Sequence, residues 1–206
     1  MGVTKRITET VMYLPEDDAD AFDSLIIYIY QNLLPAFPTE KHPATKEGSA
    51  KYYEEIIYPL LVLAEKLCLN NLANRLMDLV QDIGMENYTY TSVRTSYCMT
   101  PAGSKLQLYS VLMELYQLNS ANPENFTETW EAEQVQICAK MACIYPEFAI
   151  DFVRLSWVHR ARFKKSPVPD AQVRDGVKAF GRCFFHTHHE NGVCHLGPEK
   201  AASNDP

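Results

Sequence analysis

The sequence predicts a mainly α-helical protein on three observations. Apolar residues recur at three- and four-residue spacing over most of the chain, the pattern of helices that bury one face. Twelve prolines against eight glycines favour punctuated helices over glycine-hinged strands. Only residues 9–14, Glu-Thr-Val-Met-Tyr-Leu, have the β-branched and aromatic character of a strand.

The elements follow in order. After that strand, Pro15 to Asp20 form a turn rich in N-capping side chains, with acids placed to complement a helix dipole. The next helix carries Phe22, Leu25, Ile26, Ile29, Tyr30 and Leu33, and Pro35 and Pro38 end it. Residues 36–50 are a polar, Pro-bearing loop. A helix over residues 52–69 is apolar at Ile56, Leu60, Leu63, Ala64 and Leu67, with Pro59 marking a kink or a start. Asn70 and Asn71 break it. Leu72, Leu76, Leu79, Val80 and Ile83 then define a helix stopped by Gly84. Residues 92–97 form a helical turn, and residues 100–104 a loop. Three further helices are expected at residues 106–118, 130–144 and 146–163, the last with Pro146 in its first turn. Residues 199–206 read as a frayed tail.

The 206 residues, 47% hydrophobic and 22% charged, support a sizeable core and exclude a disordered or collagen-like chain. A net charge of −7 argues against generic phosphate-backbone binding, which needs a basic field. The charge is divided: residues 1–150 hold ten Lys/Arg against twenty Asp/Glu, residues 151–206 nine against six. No stretch approaches the roughly 18–20 apolar residues that cross a bilayer. The first residues lack the apolar core of a signal peptide, so the six cysteines are expected as thiols in the cytoplasm or nucleus.

Signatures of catalysis are missing: no Gly-x-Ser-x-Gly elbow, phosphate-cradling glycine loop or His-Glu-x-x-His. A non-enzymatic protein is expected. The carboxylates Glu16, Asp17, Asp18, Asp20 and Asp23 read as a solvated helix start rather than a cation site.

One constellation stands out, residues 183–195, Cys-Phe-Phe-His-Thr-His-His-Glu-Asn-Gly-Val-Cys-His. Cys183, His186, His188 and Cys194 would supply a Cys2His2 set for a zinc ion. His186 and His188 share one face if the piece is extended, and Gly192 lets the chain double back. Four protein ligands leave no open position for water, so such a site is structural. The competing reading is a polar tail with exposed histidines. Upstream, Arg154, Arg160, Arg162, Lys164 and Lys165 interleave with Trp157, His159 and Phe163. They form either a nucleic-acid face or the outer face of an amphipathic helix, and the acidic whole favours the latter.

Two blocks carry a family resemblance. Residues 14–22, Leu-Pro-Glu-Asp-Asp-Ala-Asp-Ala-Phe, followed by Ile29-Tyr30, resemble the "LPEDDPxAFxxFxxWLYTG" segment of BTB/POZ domains, especially fungal ones. Residues 61–68, Leu-Val-Leu-Ala-Glu-Lys-Leu-Cys, and 72–78, Leu-Ala-Asn-Arg-Leu-Met-Asp, are similar to that family's "LYVLAEKLxxxxLxNxxMD" helix pair. Residues 97–106 resemble the "YxxTPxGSxLR" turn that follows many fungal members, and residues 183–188 their "CxYHxH" tail. The opening strands and helix of the family are absent. The resemblance therefore implies the C-terminal half of a BTB/POZ-like α/β domain over residues 1–87. A helical extension over 88–165 and a loop and Cys/His-rich tail over 166–206 complete the chain.

What the resemblance implies is protein–protein interaction: homotypic association and, in some members, bridging to a cullin of a ubiquitin ligase. The expected interaction surface is Phe22, Ile26, Tyr30, Tyr53 and Ile57, apolar positions uncovered by the missing elements. The alternative is a zinc-stabilised nucleic-acid- or chromatin-associated adaptor acting through the C-terminal region.

Overall fold

A computed structural model describes residues 18–87, 89, 91–120, 128–163, 168–176, 179–188 and 194–197. Among them the regular structure is helical, and there is no strand. The expected strand at residues 9–14, the acids Glu16 and Asp17, and the tail 199–206 lie outside the described residues.

Asp18 opens α1 (Ala19–Gln31) by accepting the Ala21 N–H at 2.9 Å, which satisfies one of the helix's orphan donors. The acid-rich start is thus a cap. Helix α1 ends at Asn32, which adopts a left-handed conformation and bonds back to Tyr28. Thr45 caps α2 (Lys46–Tyr52), so the polar loop ends about five residues before its expected limit.

A π-helical turn, Tyr53–Ile57, joins α2 to α3 (Tyr58–Lys66). Pro59 accounts for it. Proline has no N–H for the carbonyl four residues back, and its ring crowds that carbonyl, so the turn before it widens to i→i+5 bonding. The Tyr58 N–H accordingly reaches the Tyr53 carbonyl. The extra residue rotates the buried face. Tyr53 and Ile57, expected on an interaction surface, are 1% and 0% exposed. Tyr53 instead donates its hydroxyl to the Val80 carbonyl at 2.7 Å inside the core.

The break after α3 falls at residues 67–69, not at Asn70-Asn71. Cys68 takes φ of 55°, its N–H bonds the Glu65 carbonyl, and the Leu69 N–H bonds the Ala64 carbonyl, a complete Schellman motif. Helix α4 (Asn70–Asn87) then runs straight through Gly84, which does not stop it. A Cβ on Gly84 would lie 2.7 Å from Gln172 Nε2 and 2.8 Å from the Thr89 carbonyl oxygen. Glycine is present for close packing, and its cost in helix propensity is offset there.

Ser92 caps α5 (Val93–Met99), and α6 (Lys105–Ser120), α7 (Glu128–Ile144) and α8 (Pro146–Phe163) follow close to their expected limits. Helix α3 packs on α1 and α4, and α8 on α6 and α7. One buried cluster spans the chain from Ala21 to Phe185, and it includes Val168, Ala171 and Phe185 from the segment after α8. That segment is part of the core. No helix among the described residues is long and apolar enough to cross a membrane.

Candidate metal centre

Helix α4 is buried almost all round, and its polar residues explain how the C-terminal segment seats on it. Asn74, Asp78 and Gln81 recur at four- and three-residue spacing and share a face, and all three are buried. A buried amide or carboxylate is costly unless it is partnered. Asn74 Oδ1 accepts the Thr187 N–H at 2.8 Å, and its Nδ2 donates to the Thr187 carbonyl at 3.0 Å. Gln81 Nε2 donates to the Ala171 carbonyl at 2.6 Å. Arg174 bridges Asp78 Oδ1, at 2.6 Å, and Asp82.

Those anchors deliver the Cys/His constellation to α4. The His186 N–H bonds the Cys183 carbonyl at 3.0 Å, so a tight turn folds the two ligand residues together. Phe185 fixes the depth of this turn, edge-on to Tyr109 with ring centroids 5.4 Å apart. Cys194 returns from the other side, with Sγ 3.4 Å from His186 Nδ1.

Cys183, His186, His188 and Cys194 each offer one ligand atom, and all four atoms lie within 4.8 Å of one another. Tetrahedral zinc with Cys and His ligands has ligand–ligand edges of about 3.3–3.8 Å, from Zn–S and Zn–N bonds of about 2.3 and 2.0 Å. The Cys194–His186 edge has that length already, and no other edge exceeds 4.8 Å. The residues fit a bound metal ion. The set expected from spacing is therefore brought together, although Gly192 itself lies outside the described residues.

Behind the four stands a shell that spacing did not reveal. Asp78 Oδ1 is 3.0 Å from His186 Nε2, and Asp78 Oδ2 is 2.7 Å from His195 Nε2. Asp78, His186 and His195 also form a three-residue cluster of ligand types. Arg174 already occupies the Asp78 carboxylate, which makes this a hydrogen-bonded ion-pair network rather than a second cation site.

The electrostatics favour a thiolate at Cys194 and a neutral imidazole at His188. Burial by itself raises the Cys194 thiol, but the Leu196 N–H and His186 outweigh it and hold it below the usual thiol range. Burial and the neighbouring His186 and His195 push His188 down, towards the neutral form that binds metals. Burial opposes the Asp78 charge, yet donation from His186 and Arg174 keeps that carboxyl below its ordinary value. His186 is the complement: burial lowers it and Asp78 raises it by more.

The other expected residues are placed as follows. Phe22, Ile26 and Tyr30 are on the surface of α1, Tyr30 being 81% exposed, and Ile27, Ile29 and Leu33 are exposed with them. On α8, Arg154 pairs with Asp151 and Trp157 is exposed, whereas His159 is buried against Phe180. The side chains of Arg160 and Arg162, and residues Lys164 and Lys165, lie outside the described residues. Asn74, Asp78, Arg174 and His195 were missed by sequence reasoning. A weak signal existed: polar residues at positions 74, 78 and 81 recur at helical spacing between the apolar residues of α4.

Comparison with known proteins finds no matching family model, no matching curated protein and no matching solved structure. The class of the site thus rests on its geometry: a Cys2His2 cluster that could hold a metal ion, in a C-terminal segment held on a helical core by Asn74, Asp78 and Gln81.

Proposed function

We propose that this chain is a non-enzymatic protein–protein interaction module of BTB/POZ-like type, stapled by a structural zinc ion. The observation that carries the interaction reading is the face of α1. Ala21 and Leu25 seat the helix, while Phe22, Ile26, Ile27, Ile29, Tyr30 and Leu33 remain exposed. An apolar cluster of that size on a helix surface serves an interface. The resemblance to BTB/POZ segments names a second copy of the chain as the first occupant, and a cullin as a further partner. Nucleic acid is not the expected partner, because the net charge is −7 and Arg154 is neutralised by Asp151.

Zinc supports the module by tying Cys183, His186, His188 and Cys194 together within the segment that Asn74, Asp78 and Gln81 hold on α4. Thiolate and imidazole donors select zinc over harder cations, and a closed four-ligand set adds stability without opening a position for substrate. The chemistry it supplies is a cross-link.

Two measurements test the proposal. Light scattering coupled to size-exclusion chromatography is expected to give a dimer at micromolar concentration, and a monomer for Tyr30→Asp. A wild-type monomer that also fails to retain a cullin sinks the interaction reading. Elemental analysis of the purified chain is expected to give one zinc per chain, lost in Cys183→Ser and in Cys194→Ser. Wild-type protein without stoichiometric metal, and unable to take up added zinc, sinks the zinc reading.

A further inference from the structure

We propose that Asp78 is the positioning residue of the metal centre: it accepts a hydrogen bond from the Nε2–H of His186 and so makes Nδ1 the ligating nitrogen. The inference rests on the zinc reading and adds which atom binds and what holds it.

The derivation starts from what each group can do. An ionised carboxylate only accepts hydrogen bonds, so His186 Nε2, 3.0 Å from Asp78 Oδ1, must carry the hydrogen. A neutral imidazole then has a bare Nδ1. That nitrogen lies 3.4 Å from Cys194 Sγ, itself one of the four clustered ligand atoms, whereas Nε2 is engaged by Asp78. Metal-bound histidines commonly donate their second ring N–H to a carboxylate, which fixes the ring and raises ligand basicity. Here the His186 side chain is fully buried and cannot turn to find another acceptor.

Asp78 is itself held. Arg174 approaches Oδ1 at 2.6 Å and His195 approaches Oδ2 at 2.7 Å, so both oxygens are occupied and the carboxylate cannot rotate. Its backbone lies in the middle of α4, where Leu76, Met77 and Val80 are buried on either side of it. The ligand nitrogen is thus referenced to the rigid core, while Cys183, His188 and Cys194 come from the segment that the metal ties down. Such an arrangement makes helix α4 one wall of the site although it donates no ligand.

The experiment uses the full chain, with zinc affinity measured by chelator competition and cobalt(II) absorption reporting the coordination sphere. Asp78→Asn is expected to weaken metal binding about 10- to 100-fold, the range for loss of such a partner. Asp82→Asn is the matched control: it makes the same charge change one turn along and also removes a partner of Arg174, without touching His186. Its affinity is expected to stay within about threefold of wild type. Asp78→Glu, which restores a carboxylate acceptor, is expected to recover part of the loss. Long-range proton–nitrogen correlation on the zinc-loaded protein should show His186 bound through Nδ1 with Nε2 protonated.

Coordination through Nε2, or equal affinity of Asp78→Asn and wild type, overturns the role of Asp78 and leaves the zinc reading standing. A wild-type chain that binds neither zinc nor cobalt overturns both. If Asp78→Asn does not fold, the nitrogen correlation on wild-type protein decides alone.

Discussion

Asn74 holds Thr187 by both of its backbone groups, across 113 residues of sequence. One amide side chain on α4 thereby does for residues 186–188 what a neighbouring strand would do in a sheet. Asn74→Ala leaves two part-buried backbone groups without partners and is expected to cost about 1–3 kcal/mol. Urea unfolding measures the loss, and limited proteolysis should show earlier cleavage between residues 168 and 197. Unchanged cleavage kinetics would mean that the other anchors, Gln81 to Ala171 and Asp78 to Arg174 and His186, suffice without Asn74.

The π turn before Pro59 decides where two candidate interface residues go. Ile57→Ala is expected to destabilise the fold by about 2–5 kcal/mol, since it opens a cavity in a closed core. Tyr30→Asp, on the open face of α1, is expected to change stability by less than about 0.5 kcal/mol while abolishing association. Chemical denaturation and light scattering on the two variants should give opposite patterns. An Ile57→Ala variant that is stable but monomeric would return Ile57 to the interface.

Gly84 sets two effects against each other. Alanine favours a helix interior by about 1 kcal/mol over glycine. The added methyl, however, meets the Thr89 carbonyl at 2.8 Å, a backbone atom that cannot swing away. Overpacking of this kind costs about 1–3 kcal/mol. Gly84→Ala is therefore expected to be neutral to destabilising by about 2 kcal/mol, read from its denaturation midpoint. Clear stabilisation would show that residue 89 yields.

Glu65 supplies the pH dependence that is separate from the metal cluster. Burial raises its carboxyl above the ordinary 4.5, against donation from Ser104 Oγ at 2.7 Å and the Lys105 N–H. The native state therefore binds this proton more tightly than the unfolded chain. Stability from this group is fully present below pH 4.5 and is lost as pH rises through the raised value. Glu65→Gln keeps an acceptor for Ser104 without the charge. Its midpoint should exceed that of wild type near pH 7, and the gap should close as pH falls below 4.5. A gap that widens on acidification would reverse the assignment.

Local patterns carried much of this reading. Apolar spacing and Pro146 placed α6 and α8, and the Cys/His ligands were legible because they sit within twelve residues of one another. Asp18 was readable as a cap because capping acts over three residues. The π turn was legible only as a disturbance near Pro59, since the width of a turn depends on what the neighbouring helices accept. Asp78 left only a weak trace, and the roles of Arg174 and His195 were not legible. A polar residue inside a helix looks solvent-facing until its partner is known, and these partners arrive from 96 to 117 positions away.

The division has a physical basis. The sequence by itself determined a helical chain, the Asp18 cap and the chemical identity of four candidate metal ligands, all properties of near neighbours. Only the tertiary structure decided which faces are closed, that Tyr53 and Ile57 are core, and that α4 backs the ligand cluster. Those outcomes depend on burial, and a buried carboxylate or amide is tolerated only where distant segments bring it a partner.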